Sequence, residues 1–321
     1  MNTPIKRFIK RLIPKGQNSP LEKVFVAAFG KHPGWDDHID DIGFETDIFI
    51  TVKRLLYIQG IGGNIDSGSW DALQKNQPIE EFKHDLVWFM GDNLIVGRIW
   101  SSRDGKGRTS YPMVVCAQCR QLSLEWVLNN VLPLLERVEE ACAATISAAE
   151  VRLTIENTQK EIRQLTQQCE LSPILPPFDT DVISKLTEYP EMGGPNHQGL
   201  LRILYHIERE ATREHLDTSK GKAFRPTLLR IPISPPPVTE SMLLWVNFLL
   251  NKFGMNTSVL VLMPLQKQRM DIIIGEPTQL QLYCLRASLK VIPLTSSIPY
   301  NLSPEFINKA TQLIEDSRNG K

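Results

Sequence analysis

Two imidazoles and four carboxylates fall within ten positions of this chain: His32, Asp36, Asp37, His38, Asp40 and Asp41. Nitrogen and oxygen donors are the ligand types that divalent cations take from proteins. With Lys31 beside them and Asp104 as a distant acid, His32, Asp36, Asp37 and His38 could serve a metal-dependent hydrolase. Their spacing follows no established ligand motif, and Pro33-Gly34-Trp35 places a turn inside the cluster. Acidic residues ahead of a helix also cap its N-terminus and complement its dipole. The capping role is the simpler one, and hydrolysis stands as the alternative.

A second group lies at 101–110, where Ser102, Asp104, Lys106, Gly107 and Arg108 crowd together. Glycines beside Lys and Arg can cradle an anion. Here Lys106 precedes the second glycine and a strand follows, so the phosphate-loop pattern is incomplete. The reading without a ligand is a tight loop in which Asp104 pairs with Arg108. The cluster Gly60-Ile61-Gly62-Gly63-Asn64 reads as a backbone turn suited to positive φ. Cys116 and Cys119 have metal-ligand spacing, but no second pair and no nearby His accompanies them. They read as thiols at a strand end. Five cysteines, odd in number and sparse, suit a reducing cytoplasm better than a disulfide framework.

Strands and helices must position these residues, and the apolar pattern supplies both. Val24–Phe29 is a strand that runs into the first cluster, and 44–59 has helical spacing through Ile48, Val52, Leu55 and Leu56. Leu86–Met90 and Leu94–Trp100 flank a short turn and form a hairpin. Tyr111–Ala117 is a third strand. Helical spacing over 124–138 is interrupted by Pro133, and a long helix or helix pair over 139–170 is stopped by Pro173. The second half reads as strands at 227–233, 258–264 and 269–274, with helices near 181–186, 199–215, 239–253, 278–287 and 303–316. The tightly linked strand pairs must be antiparallel, while strands alternating with helices imply layers. The expectation is an α/β protein: a layered α/β/α domain with a mixed sheet, followed by a second α/β domain. Its boundaries are a basic amphipathic segment at 1–21, a first domain at 22–145, a helical linker at 146–178 and a second domain at 179–321.

The chain has 321 residues, and its 36 Lys plus Arg balance its 36 Asp plus Glu. A neutral molecule has no general field to draw it onto nucleic acid, which argues against that partner. No apolar run approaches the ~18–20 residues that cross a bilayer. In residues 1–15, Ile5, Phe8, Ile9, Leu12 and Ile13 share one helix face, opposite Lys6, Arg7, Lys10 and Arg11. Such a helix suits weak contact with an anionic membrane surface, a partner's groove, or its own domain. Two to three turns hold a membrane only weakly, so packing on its own domain is the preferred reading.

Two segments are familiar. Phe29-Gly30-Lys31-His32-Pro33-Gly34-Trp35-Asp36-Asp37 resembles the opening signature of the type VI secretion-associated TagF family. Ser102-Arg103-Asp104-Gly105-Lys106-Gly107-Arg108 followed by Tyr111-Pro112-Met113 is similar to a second segment of that family, in the same order. The resemblance covers about residues 24–140 and makes 22–145 a TagF-like domain. It implies a non-catalytic, cytoplasmic post-translational repressor that needs no cofactor and acts by protein binding. A forkhead-associated scaffold of the secretion pathway is the implied partner. By the same resemblance Lys31, Pro33, Asp37, Ser102, Asp104, Gly107 and Arg108 are shared residues. The loops 30–41 and 101–110 both follow strands and are expected to meet at one sheet end, with Lys31, Asp36, Asp37, Ser102, Asp104 and Arg108 as candidate binding residues. Gly30, Pro33, Gly107 and Pro112 are their structural motif residues.

Overall fold

The computed structural model describes residues 23–167, 169, 172–176, 181–188, 197–212, 226–233, 238–265 and 267–318. The amphipathic segment 1–21 lies outside the described residues. In chain order the elements are β1 (Val24–Gly30), α1 (Asp47–Val52), a π-helical stretch (Lys53–Gly62), α2 (Gly63–Asp66), α3 (Ser69–Asn76), β2 (Lys83–Met90), β3 (Asn93–Trp100) and β4 (Met113–Cys119). There follow α4 (Leu124–Asn130), α5 (Leu132–Ala143), α6 (Ala148–Gln167), α7 (Val182–Thr187), α8 (Gln198–His206), a second π stretch (Ile207–Thr212) and β5 (Thr227–Pro232). The last elements are α9 (Val238–Phe253), β6 (Val259–Pro264), β7 (Arg269–Ile274), α10 (Gln279–Leu282) and α11 (Pro304–Arg318), with short 3-10 turns before α11.

The α/β class holds, but the sheet departs from expectation in two respects. Seven strands form one sheet in the order β1-β4-β3-β2-β6-β7-β5. Every pairing is antiparallel, so the sheet is not mixed. The strands of the second half do not form a sheet of their own; β6 joins β2 with Val87 opposite Val261. The hairpins Lys83–Trp100 and Val259–Ile274 set direction locally, and the β2–β6 pairing carries it across the halves.

Period-2 alternation sends successive strand residues to opposite faces. Val87, Val96, Val115 and Val261 join one apolar cluster with residues of α4 to α9 and α11. Leu86, Trp88, Ile95 and Leu260 join another with α1, the first π stretch, α3 and α10. Helices therefore cover both faces. Pro133 splits the 124–138 helix at Val131, where it sits in the first turn of α5 and lacks the N–H that turn leaves unpaired. The 139–170 helix also breaks, at 144–147, and α6 lays Val151, Ile155 and Ile162 into the core beside β1 and α5.

The glycines at 60–63 are a correction. They continue the helical path, with Gly62 and Gly63 both at φ −56°. What requires them is close approach, not a turn. A Cβ on Gly60 would lie 2.1 Å from Leu282 Cδ1, and one on Gly63 would lie 3.0 Å from the Gln279 side chain. Asn64 completes the contact by donating Nδ2 to Gly60 O and to Gln279 O.

Candidate functional site

Both loops of interest leave neighbouring strands at the same sheet end, because Gly30 of β1 pairs with Met113 of β4. Gly30 has φ +111°, and a Cβ there would lie 2.3 Å from Pro112 O. The peptide N–H of Lys31 donates to that same Pro112 carbonyl at 3.1 Å. Lys31 is thereby turned inward, and its ammonium reaches Asp104 Oδ2 at 2.7 Å.

Asp104 is the centre of the arrangement. Its Oδ1 accepts from the peptide N–H groups of Lys106 and Arg108, both at 3.0 Å. Its Oδ2 accepts from Lys31 and from Arg108 Nε at 2.7 Å. Gly107, at φ +81°, closes the turn by donating its N–H to Asp104 O at 2.9 Å. The Arg108 guanidinium spans the two loops, donating to Asp36 O at 2.9 Å and pairing with Asp37 at 3.1 Å. Gly105 N–H donates to Trp35 O at 2.7 Å, which ties the loops a second time. Lys31, Asp37, Asp104 and Arg108 are therefore one knot between residues 73 positions apart.

Exposure divides the knot into a core and a rim. Lys31 is 4% exposed and Asp104 1% exposed, whereas Asp36, Asp37 and Lys106 are exposed and half of the Arg108 side chain is. Burial alone would raise the Asp104 pKa. The Lys31 ammonium and the Arg108 backbone and side chain overcome that and hold its carboxyl well below the usual carboxylate range. Aromatic rings back the core, with Tyr111 under the Lys31 ammonium and His38 edge-on to both Tyr57 and Tyr111. Burial, and then Tyr111 and Asp37, push the Tyr57 phenol up, so it stays a neutral donor to Pro112 O. Ser102 is half-buried, Pro33 starts the turn after His32, and Pro112 is buried between the loops.

The His/Asp cluster does not converge. His32 points inward, with Nε2 against Cys142 O at 2.9 Å and Nδ1 accepting from Gly34 N–H at 3.0 Å. Both ring nitrogens are thus occupied by the protein, and burial lowers the ring's pKa against the opposing pull of the Cys142 carbonyl. The carboxylates fan outward instead. Asp37 meets Arg108, Asp40 meets Arg152 and Trp35, and Asp41 meets Lys53. Among the described residues no group of three or more His, Cys, Asp or Glu is placed to hold a metal ion. Cys116 and Cys119, three apart on β4, face opposite sides of the sheet and belong to different apolar clusters. Burial pushes both thiols far up.

Beside the knot lies an open cleft of about 530 Å³, between the 101–109 loop and the C-terminal end of α5. Ser101, Ser102, Arg103, Thr109, Thr145 and Arg286 are among its walls. Arg286 is fixed there by stacking over Phe82 at 5.0 Å and by donating to Glu80 O at 3.1 Å.

The sequence reading passed over two further features. One is this aromatic backing. The other is a buried ion pair in which Arg230 of β5 grips Asp271 of β7 through Nε and Nη2, at 2.6 and 2.9 Å. Arg230 also donates to Ala287 O and Ile292 O, both at 2.9 Å, and so pins the segment after α10 to the sheet. Its signal was available, since a charge inside an apolar strand such as Thr227–Pro232 must be paired to be tolerated. No helix among the described residues is long and apolar enough to cross a membrane. No protein-family model matches the chain, and a comparison with curated proteins finds no match.

Proposed function

We propose that this is a non-catalytic regulatory protein of a type VI secretion-like system, acting in the cytoplasm as a post-translational repressor by binding a protein partner. The observation that carries the reading is the knot. The two segments that resemble the TagF family are 73 positions apart, and they meet through Lys31, Asp104 and Arg108. Such a knot spends its charges on fixing loop shape, and it leaves the exposed side chains of Asp36, Arg103 and Lys106 displayed on its rim beside the Asp37–Arg108 pair. A preordered polar rim suits recognition of a protein surface, because little conformational freedom is lost on binding. The partner implied by the resemblance is a forkhead-associated scaffold.

The test is secretion itself. Excess full-length chain in the native host should silence release of a type VI substrate and should co-purify the scaffold. The rim variant Asp36→Lys with Arg103→Glu, at two exposed side chains outside the ion pairs of the knot, should restore secretion and lose the scaffold while keeping its circular dichroism and melting temperature. Unchanged silencing and scaffold capture by the folded rim variant would overturn the assignment of the rim. Failure of the natural chain to silence secretion would overturn the repressor reading.

A further inference from the structure

The cleft between the 101–109 loop and the end of α5 holds two cations that the knot does not use. Arg103 stands on the loop and Arg286 at the end of the 3-10 turn after α10. The Arg103 side chain has neither an ion pair nor a hydrogen bond among the described residues. Arg286 carries more weight, because it is half-buried. It is tied to Glu80 in both directions: Arg286 O accepts from the Glu80 N–H, and Arg286 Nε donates to Glu80 O, each at 3.1 Å. Its guanidinium lies over the rings of Phe82 at 5.0 Å and Trp70 at 5.9 Å. These contacts fix the fork and leave both Nη groups without an acceptor among the described residues. The Glu80 carboxylate is taken by Arg269, and no described carboxylate pairs with Arg286. Burial lowers the Arg286 pKa, with the charges of Asp71 and Glu81 opposing from beyond ion-pair distance. A half-buried cation held in place without a counterion is costly, and an incoming anion relieves that cost.

The surroundings extend this anchor into a site. The Ser101 N–H donates to Phe82 O at 2.8 Å, which ties the start of the loop to the residue beneath Arg286. Arg103 follows two positions later. The hydroxyls of Ser102 and Thr109 line the cleft from the same loop, again with no hydrogen-bond partner among the described residues. The α5 side is apolar, with Ala144 exposed and Ile146 75% exposed.

We propose that this cleft binds a small phosphate monoester. Its phosphoryl oxygens take the free N–H groups of Arg286 and Arg103 and the hydroxyls of Ser102 and Thr109, and its organic body lies against Ala144 and Ile146. Two guanidiniums and two hydroxyls offer more donors than a carboxylate has oxygens to accept, and they match the three terminal oxygens of a phosphate. A volume of about 530 Å³ suits an organic molecule rather than a bare ion. The exposed Glu81 carboxylate and the C-terminal end of α5 also face the cleft, and both oppose negative charge. They restrict the ligand to one phosphoryl group. The inference goes beyond the repressor reading and needs no protein partner.

The experiment titrates the full chain with phenyl phosphate by isothermal calorimetry, with inorganic phosphate and benzoate as comparison probes. One phenyl phosphate should bind per chain with a Kd below about 1 mM, and the other two probes should each bind about tenfold more weakly or less. Arg286→Lys, which keeps the charge and loses the fork, and Arg103→Gln should each weaken binding about tenfold. Glu81→Gln should tighten it about threefold by removing an opposing charge. The side chains of Arg103 and Glu81 are exposed and make no hydrogen bond or ion pair among the described residues, so these two variants test the site with the fold intact. The proposal is overturned by any of three results: no saturable binding of phenyl phosphate, inorganic phosphate or benzoate bound as tightly, or an affinity unchanged by both Arg103→Gln and Glu81→Gln. Because no scaffold is present in the titration, its outcome is separate from that of the secretion test.

Discussion

Asp104 shows how one side chain sets the shape of a loop. It takes two peptide N–H groups, one ammonium and one guanidinium, and neither Lys31 nor Arg108 can substitute for it as acceptor. Asp104→Asn should therefore lower the melting temperature by a few degrees and loosen 101–110 in hydrogen exchange. Arg108→Gln should do less, because half of that side chain already meets water. The depressed Asp104 pKa gives this contribution a sign with pH. It is present above the ordinary carboxylate range, near pH 4, and fades only as the pH falls towards the lower folded value. His84 supplies a stronger acid dependence. Burial, and then the Arg269 and Arg230 charges, lower its pKa from 6.5 to about 3. The unfolded chain therefore binds a proton between those values that the folded chain refuses, so stability drops as the pH falls from 6.5 towards 3. Its Nε2 has no hydrogen-bond partner among the described residues. His84→Gln should flatten the denaturation midpoint across this window, and an unchanged slope would contradict the buried, neutral ring.

At the scale of elements, the contact between α10 and the helical path through Gly60 depends on a residue without a side chain, because a Cβ there would lie 2.1 Å from Leu282 Cδ1. Gly60→Ala places a methyl group against Leu282 and should cost about 1–3 kcal/mol by overpacking. Leu282→Ala alone should cost about 2–5 kcal/mol by leaving a cavity. The double variant should be more stable than the sum of the two costs by about 1 kcal/mol or more, because each substitution relieves the other. Strict additivity in urea melts would show that these two positions do not meet. Much at this scale was legible in the pattern of residues. The strands Val24–Gly30, Lys83–Met90 and Asn93–Trp100 follow their apolar runs, and Pro133 breaks its helix where proline must. The glycine cluster was misread because a turn and a close approach ask for the same residue, and only Leu282, more than 200 positions away, distinguishes them.

For the whole molecule, the β2–β6 ladder is decisive. It ties the strand group of residues 24–119 to that of 227–274, with Leu86 opposite Leu262 and Trp88 opposite Leu260. One continuous sheet between two apolar layers should unfold as a unit. Leu262→Ala, a buried truncation costing about 2–5 kcal/mol, should lower amide protection in β1 and β4 as well as in β5 and β7. Protection lost only in β5, β6 and β7 would show that the halves open independently.

By itself the sequence determined the local grammar: which runs become strands, where the hairpins turn, where helices stop, and which loops carry charge. These outcomes depend on periodicity and backbone chemistry acting over a few residues, so they can be read in one pass. The tertiary structure decided what each charge and thiol is for. Lys31 reaches Asp104 across 73 positions, His32 spends its ring on Cys142 across 110, and Arg230 finds Asp271 across 41. It also decided strand order, making two apparent units share one antiparallel sheet. Partner choice over such distances depends on which buried groups would otherwise remain unpaired in the assembled core, and no local pattern encodes that.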